Sequence, residues 1–191
     1  TTNVDGLFKW TPSLHKFQQL LPQTAAGALA DANVIRIAQE DPLSNSVWLA
    51  SDNGQLFQAP LPQSIHDPIT NWRSTRMPDD RFTQIHTLYP LNARERLIGT
   101  TRGLLLMQQG QPTLQLAALQ LQLPHSQSFD EKTEQPTQVL DLKSDGHCLW
   151  LASTAGLGCA DLQGQHLVRW YGVDEYPAFA NNRLYRIYFG H

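Results

Sequence analysis

The chain has 191 residues, 41% of them hydrophobic and 16% charged, which suits a folded chain with a sizeable core and excludes a disordered one. Its formal charge is −3 and it has no cluster of Lys and Arg, so it lacks the electrostatic footprint of a nucleic-acid binder. No apolar run is long enough to span a bilayer, and two cysteines, Cys148 and Cys159, are too few for a disulfide framework.

From the N-terminus, "GLFKW" and "HKFQQL" read as the last two strands of a unit that began earlier. "FQQLLPQTAAGALA" is helix-friendly in composition, but Pro22 and Gly27 interrupt it. A full unit follows. "NVIRIAQED" (Asn33–Asp41) alternates and reads as a strand, and "VWLAS" reads as a buried strand after the turn-forming "PLSNS". "DNG" marks a tight hairpin, "QLFQA" a third strand and "TNWRSTRM" (Thr70–Met77) a fourth. The same order returns in "RFTQIHTLY", "RLIGT", "GLLLMQQ" and "PTLQLAAL", and again in "TQVLDLKSDG", "CLWLAS", "GLGCADLQG" and "HLVRWYG". "NNRLYRIYFGH" (Asn182–His191) then looks like the first strand of a further unit.

Three near-copies of one eleven-residue motif sit at the centre of this pattern: "VWLASDNGQLF", "RLIGTTRGLLL" and "LWLASTAGLGC". Their glycines, Gly54, Gly103 and Gly156, are separated by 49 and 53 residues, and Gly6 stands 48 residues before Gly54. Four-stranded units at this period point to a β-propeller, because each unit needs a neighbour to bury its core. A sandwich would not need the duplicated motif. The expected fold is all-β: a β-propeller segment of four-stranded antiparallel blades, about three complete blades with a partial blade at each end. The expected boundaries are a partial blade at 1–20, blades at 33–77, 82–119 and 137–172, and a first strand at 182–191.

"VWLASDNGQLF", "LWLASTAGLG" and "RWYGVDEYPAFANNRLYRIYF" resemble the two-component regulator propeller repeat, and the likeness runs through nearly the whole chain. Gln55, Arg96 and the segment Asp174–Phe179 depart from the repeat pattern. The resemblance implies the periplasmic sensor portion of a bacterial membrane signalling protein, recognising an extracellular glycan or other small molecule. It also implies that a histidine kinase or diguanylate cyclase output domain lies outside this sequence. The chain opens inside a repeat and shows no signal peptide, so the parent is expected to carry further repeats on both sides.

Chemistry is sparse. The seven histidines show no metal-ligand spacing, and no nucleophile elbow or phosphate-binding glycine loop is present, so no catalytic residue, metal or cofactor is expected. Ser51, Thr100 and Ser153 recur in register, which suits a scaffold hydroxyl that bonds backbone at a turn rather than a nucleophile. Trp48 and Trp150 are expected in the core, and Trp72 and Trp170 in looser packing on the fourth strands. On that reading Trp72→Ala costs clearly less than Trp48→Ala or Trp150→Ala. Counting from the Ser153–Gly156 hairpin puts Cys159 opposite Trp150 and Cys148 on a diagonal from Cys159, which predicts free buried thiols.

Recognition is expected on loops between blades and between second and third strands. The candidate ligand-binding residues are Arg76, Asp79, Asp80, Arg81, Arg102, Asp174, Glu175, Tyr176, Asn181 and Asn182, with Tyr176 and Phe179 able to stack on a sugar face. The leading expectation is a non-catalytic ligand sensor. The alternatives are an extracellular carbohydrate-active lyase or hydrolase on a propeller scaffold, and a protein-interaction platform. A small ring closed by the two chain ends competes with an open arc of a larger ring, which would form homodimers through its open blade edges. Any membrane contact is expected only through parent segments beyond this sequence.

Overall fold

The computed structural model describes residues 7–11, 16–20, 35–64, 67, 69–77, 84–108, 114–117, 119, 122–124, 137–172, 174–177, 179 and 183–190. These residues form fourteen strands and no α-helix. The chain divides into two compact units, Thr1–Gln84 and Ile85–His191.

The first unit holds a two-stranded antiparallel sheet of β1 (Leu7–Thr11) and β2 (Lys16–Leu20). Its four-stranded sheet follows the chain: β3 (Ile35–Asp41), β4 (Ser46–Ser51), β5 (Gln55–Pro60) and β6 (Arg73–Arg76), each antiparallel to the last. Every residue of β4 is buried, as its unbroken apolar run required. One side of the sheet gathers Val47, Leu49, Phe57, Ala59 and Trp72 into a core. Trp72 stands just before β6 and is 8% exposed, so its expected place in looser outer packing is corrected: the residue leaves the ladder and turns into the core.

The second unit repeats the pattern twice. β7 (Ile85–Pro90), β8 (Glu95–Thr100), β9 (Gly103–Gln108) and β10 (Leu114–Leu116) make one sheet. β11 (Val139–Ser144), β12 (Leu149–Ser153), β13 (Leu157–Ala160) and β14 (Leu167–Tyr171) make the other. The two sheets share a core in which Leu97, Leu104 and Ala117 of one meet Val139, Leu142, Leu149, Leu151 and Ala160 of the other. They approach closely at Gly99, where an added Cβ would lie 2.6 Å from the Thr87 Cγ2 and 2.8 Å from the Val139 carbonyl oxygen. Arg96, which replaces the apolar residue found as Val47 or Leu149 in the other sheets, is 2% exposed.

Two details show that the repeat is physical as well as textual. The first strand of each four-stranded sheet carries a bulge at the same place, between Ile35 and Ile37, Ile85 and Thr87, and Val139 and Asp141. At each second-strand end a wholly buried hydroxyl closes the turn. Ser51 Oγ accepts the Gln55 amide at 3.1 Å, and Thr100 Oγ1 donates to the Gly103 carbonyl at 3.0 Å. Ser153 Oγ donates to the Gly156 carbonyl at 2.9 Å while accepting the amides of Ala155 and Gly156. The scaffold role expected for these three residues is what they perform. Gly156 has φ 141°, and a Cβ there would lie 2.4 Å from the Tyr171 carbonyl oxygen, so only glycine fits.

Arg183–Gly190 belongs to no sheet among the described residues, although its backbone is tied to the β11–β14 sheet, the third of the four-stranded sheets and called the third sheet below, by the Leu184 amide bonding the Ser153 carbonyl at 2.9 Å.

Candidate functional site

The best-defined cluster of exposed aromatic and charged side chains lies on one face of the β11–β14 sheet. Register puts Trp150 opposite Cys159 and Cys159 opposite Arg169. Alternation then places Tyr171 on the same face as Arg169. The opposite face carries Leu149, Leu151, Ala160 and the half-buried Trp170 into the shared core. Trp150 is therefore half-buried on the far side, and its expected place in the core is corrected.

Aromatic rings continue from this face into the chain that follows β14. Trp150 and Tyr171 lie 6.0 Å apart between centroids, Tyr171 and Tyr176 4.9 Å, and Tyr176 and Phe179 6.3 Å. A tight turn holds the last two rings. Glu175 Oε2 accepts the Gly172 amide at 2.9 Å, the Tyr176 amide bonds the Gly172 carbonyl at 2.8 Å, and the Phe179 amide bonds the Tyr176 carbonyl at 3.0 Å. Arg169 stands over the Tyr171 ring at 5.9 Å and donates to its hydroxyl, which raises the guanidinium pKa further. The row combines ring faces for stacking with an exposed cation for a polar or anionic group.

The indole of Trp150 is held from the other side. Its Nε1 donates to Asp145 Oδ2 at 2.7 Å, and Asp145 Oδ1 accepts the amides of Cys148 and His147, both at 2.8 Å. These donors, led by the Cys148 amide and then the indole, hold the Asp145 carboxyl at a pKa of about 2. A carboxyl depressed in this way stabilises the fold above its ordinary value of 3.8 and loses that effect as pH falls towards 2. Trp150 fluorescence and the Asp145 carboxyl resonance are expected to titrate together with a midpoint near 2. A midpoint at the ordinary value would show that the indole and amides do not hold the anion.

Cys148 and Cys159 form a disulfide beside Trp150, with their Cα atoms 5.5 Å apart. The expectation of free thiols is corrected. The register was right, since Trp150 does face Cys159. Right-handed strand twist shortens one diagonal of an antiparallel pair, however, and Cys148 stands just before β12, where no ladder bond holds it to the ideal spacing.

The residues singled out from the sequence are only partly gathered here. Glu175 and Tyr176 belong to the aromatic turn, and Asp174 precedes them, exposed. Arg102 is half-buried in the β8–β9 turn, where its amide bonds Thr100 Oγ1 at 3.1 Å. Arg76 is exposed at the end of β6, in the first unit. Asp79, Asp80, Arg81, Asn181 and Asn182 lie outside the described residues. Sequence reasoning missed Asp145, Arg169 and Tyr171. The signal for the last two was the Trp150–Cys159 register, which carries across to β14.

No family model and no curated protein matches the chain. Among solved structures it is similar to the extracellular domain of BT4673 from B. thetaiotaomicron, described once as a one-component system and once as a hybrid two-component system. The first is 20% identical with a TM-score of 0.52 over 82% of this chain, and the second 19% identical with a TM-score of 0.52 over 86%. The chain shares its fold with the extracellular domain of a bacterial signalling protein. It spans 18% of the length of the domains it matches.

Proposed function

We propose that this chain is part of a β-propeller of the two-component regulator propeller repeat family, and that it serves as a non-catalytic ligand-sensing region of a bacterial membrane signalling protein. One observation carries this reading. Three sheets with one strand order, one bulge position and one buried turn hydroxyl share their fold with the extracellular domain of BT4673. The Cys148–Cys159 disulfide supports an extracytoplasmic location, because such bonds persist in oxidising compartments. The ligand class is an extracellular glycan or another small molecule. Tyr176 and Phe179 offer ring faces and Arg169 a fork of donors, a combination that suits a sugar ring bearing hydroxyl or carboxylate groups. Output chemistry belongs to segments beyond this sequence.

Thermal shift of the intact extracellular region against a panel of oligosaccharides tests the reading. A ligand at a hundred times its Kd stabilises the native state by about 2.7 kcal/mol, enough for a clear rise in Tm. Tyr176→Ala and Arg169→Ala are expected to abolish the shift without lowering the Tm of the free protein. A panel of sugars and small metabolites that leaves Tm unmoved, while a protein partner binds, would favour an interaction platform instead.

A further inference from the structure

Asp141 is a carboxylate in an apolar place. It is 3% exposed on β11, at the residue that follows the first-strand bulge, where the other two four-stranded sheets have Ile37 and Thr87. A buried carboxylate is costly unless its oxygens are bonded. Its Oδ1 accepts the amide of Leu142 at 3.0 Å, and its Oδ2 accepts the amide of Ile187 at 3.0 Å, 46 residues further along the chain. The Arg186 guanidinium lies 3.8 Å from Oδ1 and is itself 59% exposed.

These bonds fall on the segment that no sheet takes up. Among the described contacts, Arg183–Gly190 is joined to the third sheet by the Leu184 amide on the Ser153 carbonyl, the Ile187 amide on Asp141 and the Arg186–Asp141 ion pair. Leu184 and Ile187 are half-buried, whereas Tyr185, Tyr188 and Phe189 are 62%, 84% and 44% exposed. A segment with so little apolar burial depends on its polar ties. Of those ties, two converge on one side chain.

We propose that Asp141 is a clasp: it fastens the segment 183–190 to the third sheet as a strap, and its removal frees the strap while the sheet stays folded. Ile37 and Thr87 occupy the matching sites and carry no carboxylate, so the device is peculiar to the third sheet. The clasp works whether or not a ligand is bound, and it does not depend on the sensing role.

Hydrogen exchange on the whole chain tests it. Asp141→Leu removes both acceptors and puts an aliphatic side chain where the first unit has Ile37, and it is expected to speed exchange of the Leu184 and Ile187 amides about tenfold to a hundredfold with β12 and β13 unchanged. Arg186→Gln removes only the ion pair and is expected to give a smaller increase at the same two amides. Unchanged exchange at Leu184 and Ile187, or a rise shared equally with β12 and β13, overturns the clasp. If Asp141→Leu does not fold, Asp141→Ala, which also removes both acceptors and adds no bulk, decides. Faster exchange at Ile187 than in the native chain supports the proposal, and an unaltered rate refutes it.

Discussion

Trp72→Ala is expected to destabilise the first unit by about 3–5 kcal/mol, the range for deleting a large buried aromatic side chain. Trp72 is 8% exposed and packs in the cluster of Val47, Leu49, Phe57 and Ala59. Its Nε1 finds no hydrogen-bond acceptor among the described residues, so its contribution is apolar contact. Trp72→Phe, which keeps most of that contact and removes the unbonded donor, is expected to cost less than about 1.5 kcal/mol. Trp150→Ala is expected to cost roughly half as much as Trp72→Ala, because the half-buried ring already keeps part of its surface in water. Urea denaturation of the three variants, compared at constant m-value, orders them. A larger loss for Trp150→Ala than for Trp72→Ala would reverse the assignment of these two rings.

Loss of the Cys148–Cys159 disulfide is expected to cost about 2–4 kcal/mol. The two cysteines are 11 residues apart, a short loop whose closure restricts the unfolded chain, and the bond ties the start of β12 to β13 beside Trp150. Cys148→Ala with Cys159→Ala should lower the denaturation midpoint by the same amount as adding a reductant to the native chain, and the double variant should ignore the reductant. Release should also alter Trp150 fluorescence, since Asp145 Oδ1 holds the Cys148 amide while Oδ2 holds the indole. A native midpoint indifferent to reductant would mean that the bond contributes nothing to stability.

Local chemistry decided much of this molecule before any tertiary contact formed. Period-two alternation, turn residues and the recurrence of Gly54, Gly103 and Gly156 determined three four-stranded antiparallel sheets in chain order, because strand pairing across short turns depends on residues close in sequence. The same locality made the roles of Ser51, Thr100 and Ser153 legible, as each bonds backbone within four residues of itself.

What the sequence did not decide depends on which face of a sheet is covered and by what. Trp48 and Trp150 occupy the same repeat position, yet one is 6% exposed and the other half-buried, since burial there is set by the neighbouring layer and not by the strand. Trp72 reads as a fourth-strand residue and becomes core because the chain leaves the ladder before β6. The disulfide turned on a diagonal shortened by twist, which register counting in a flat sheet omits. Asp141 meets Ile187 across 46 residues, and the aromatic row joins β12 to the turn after β14. Sequence spacing carries no information about such meetings. Only the packed sheet, with one face closed on its neighbour and the other left partly open, brings those side chains together.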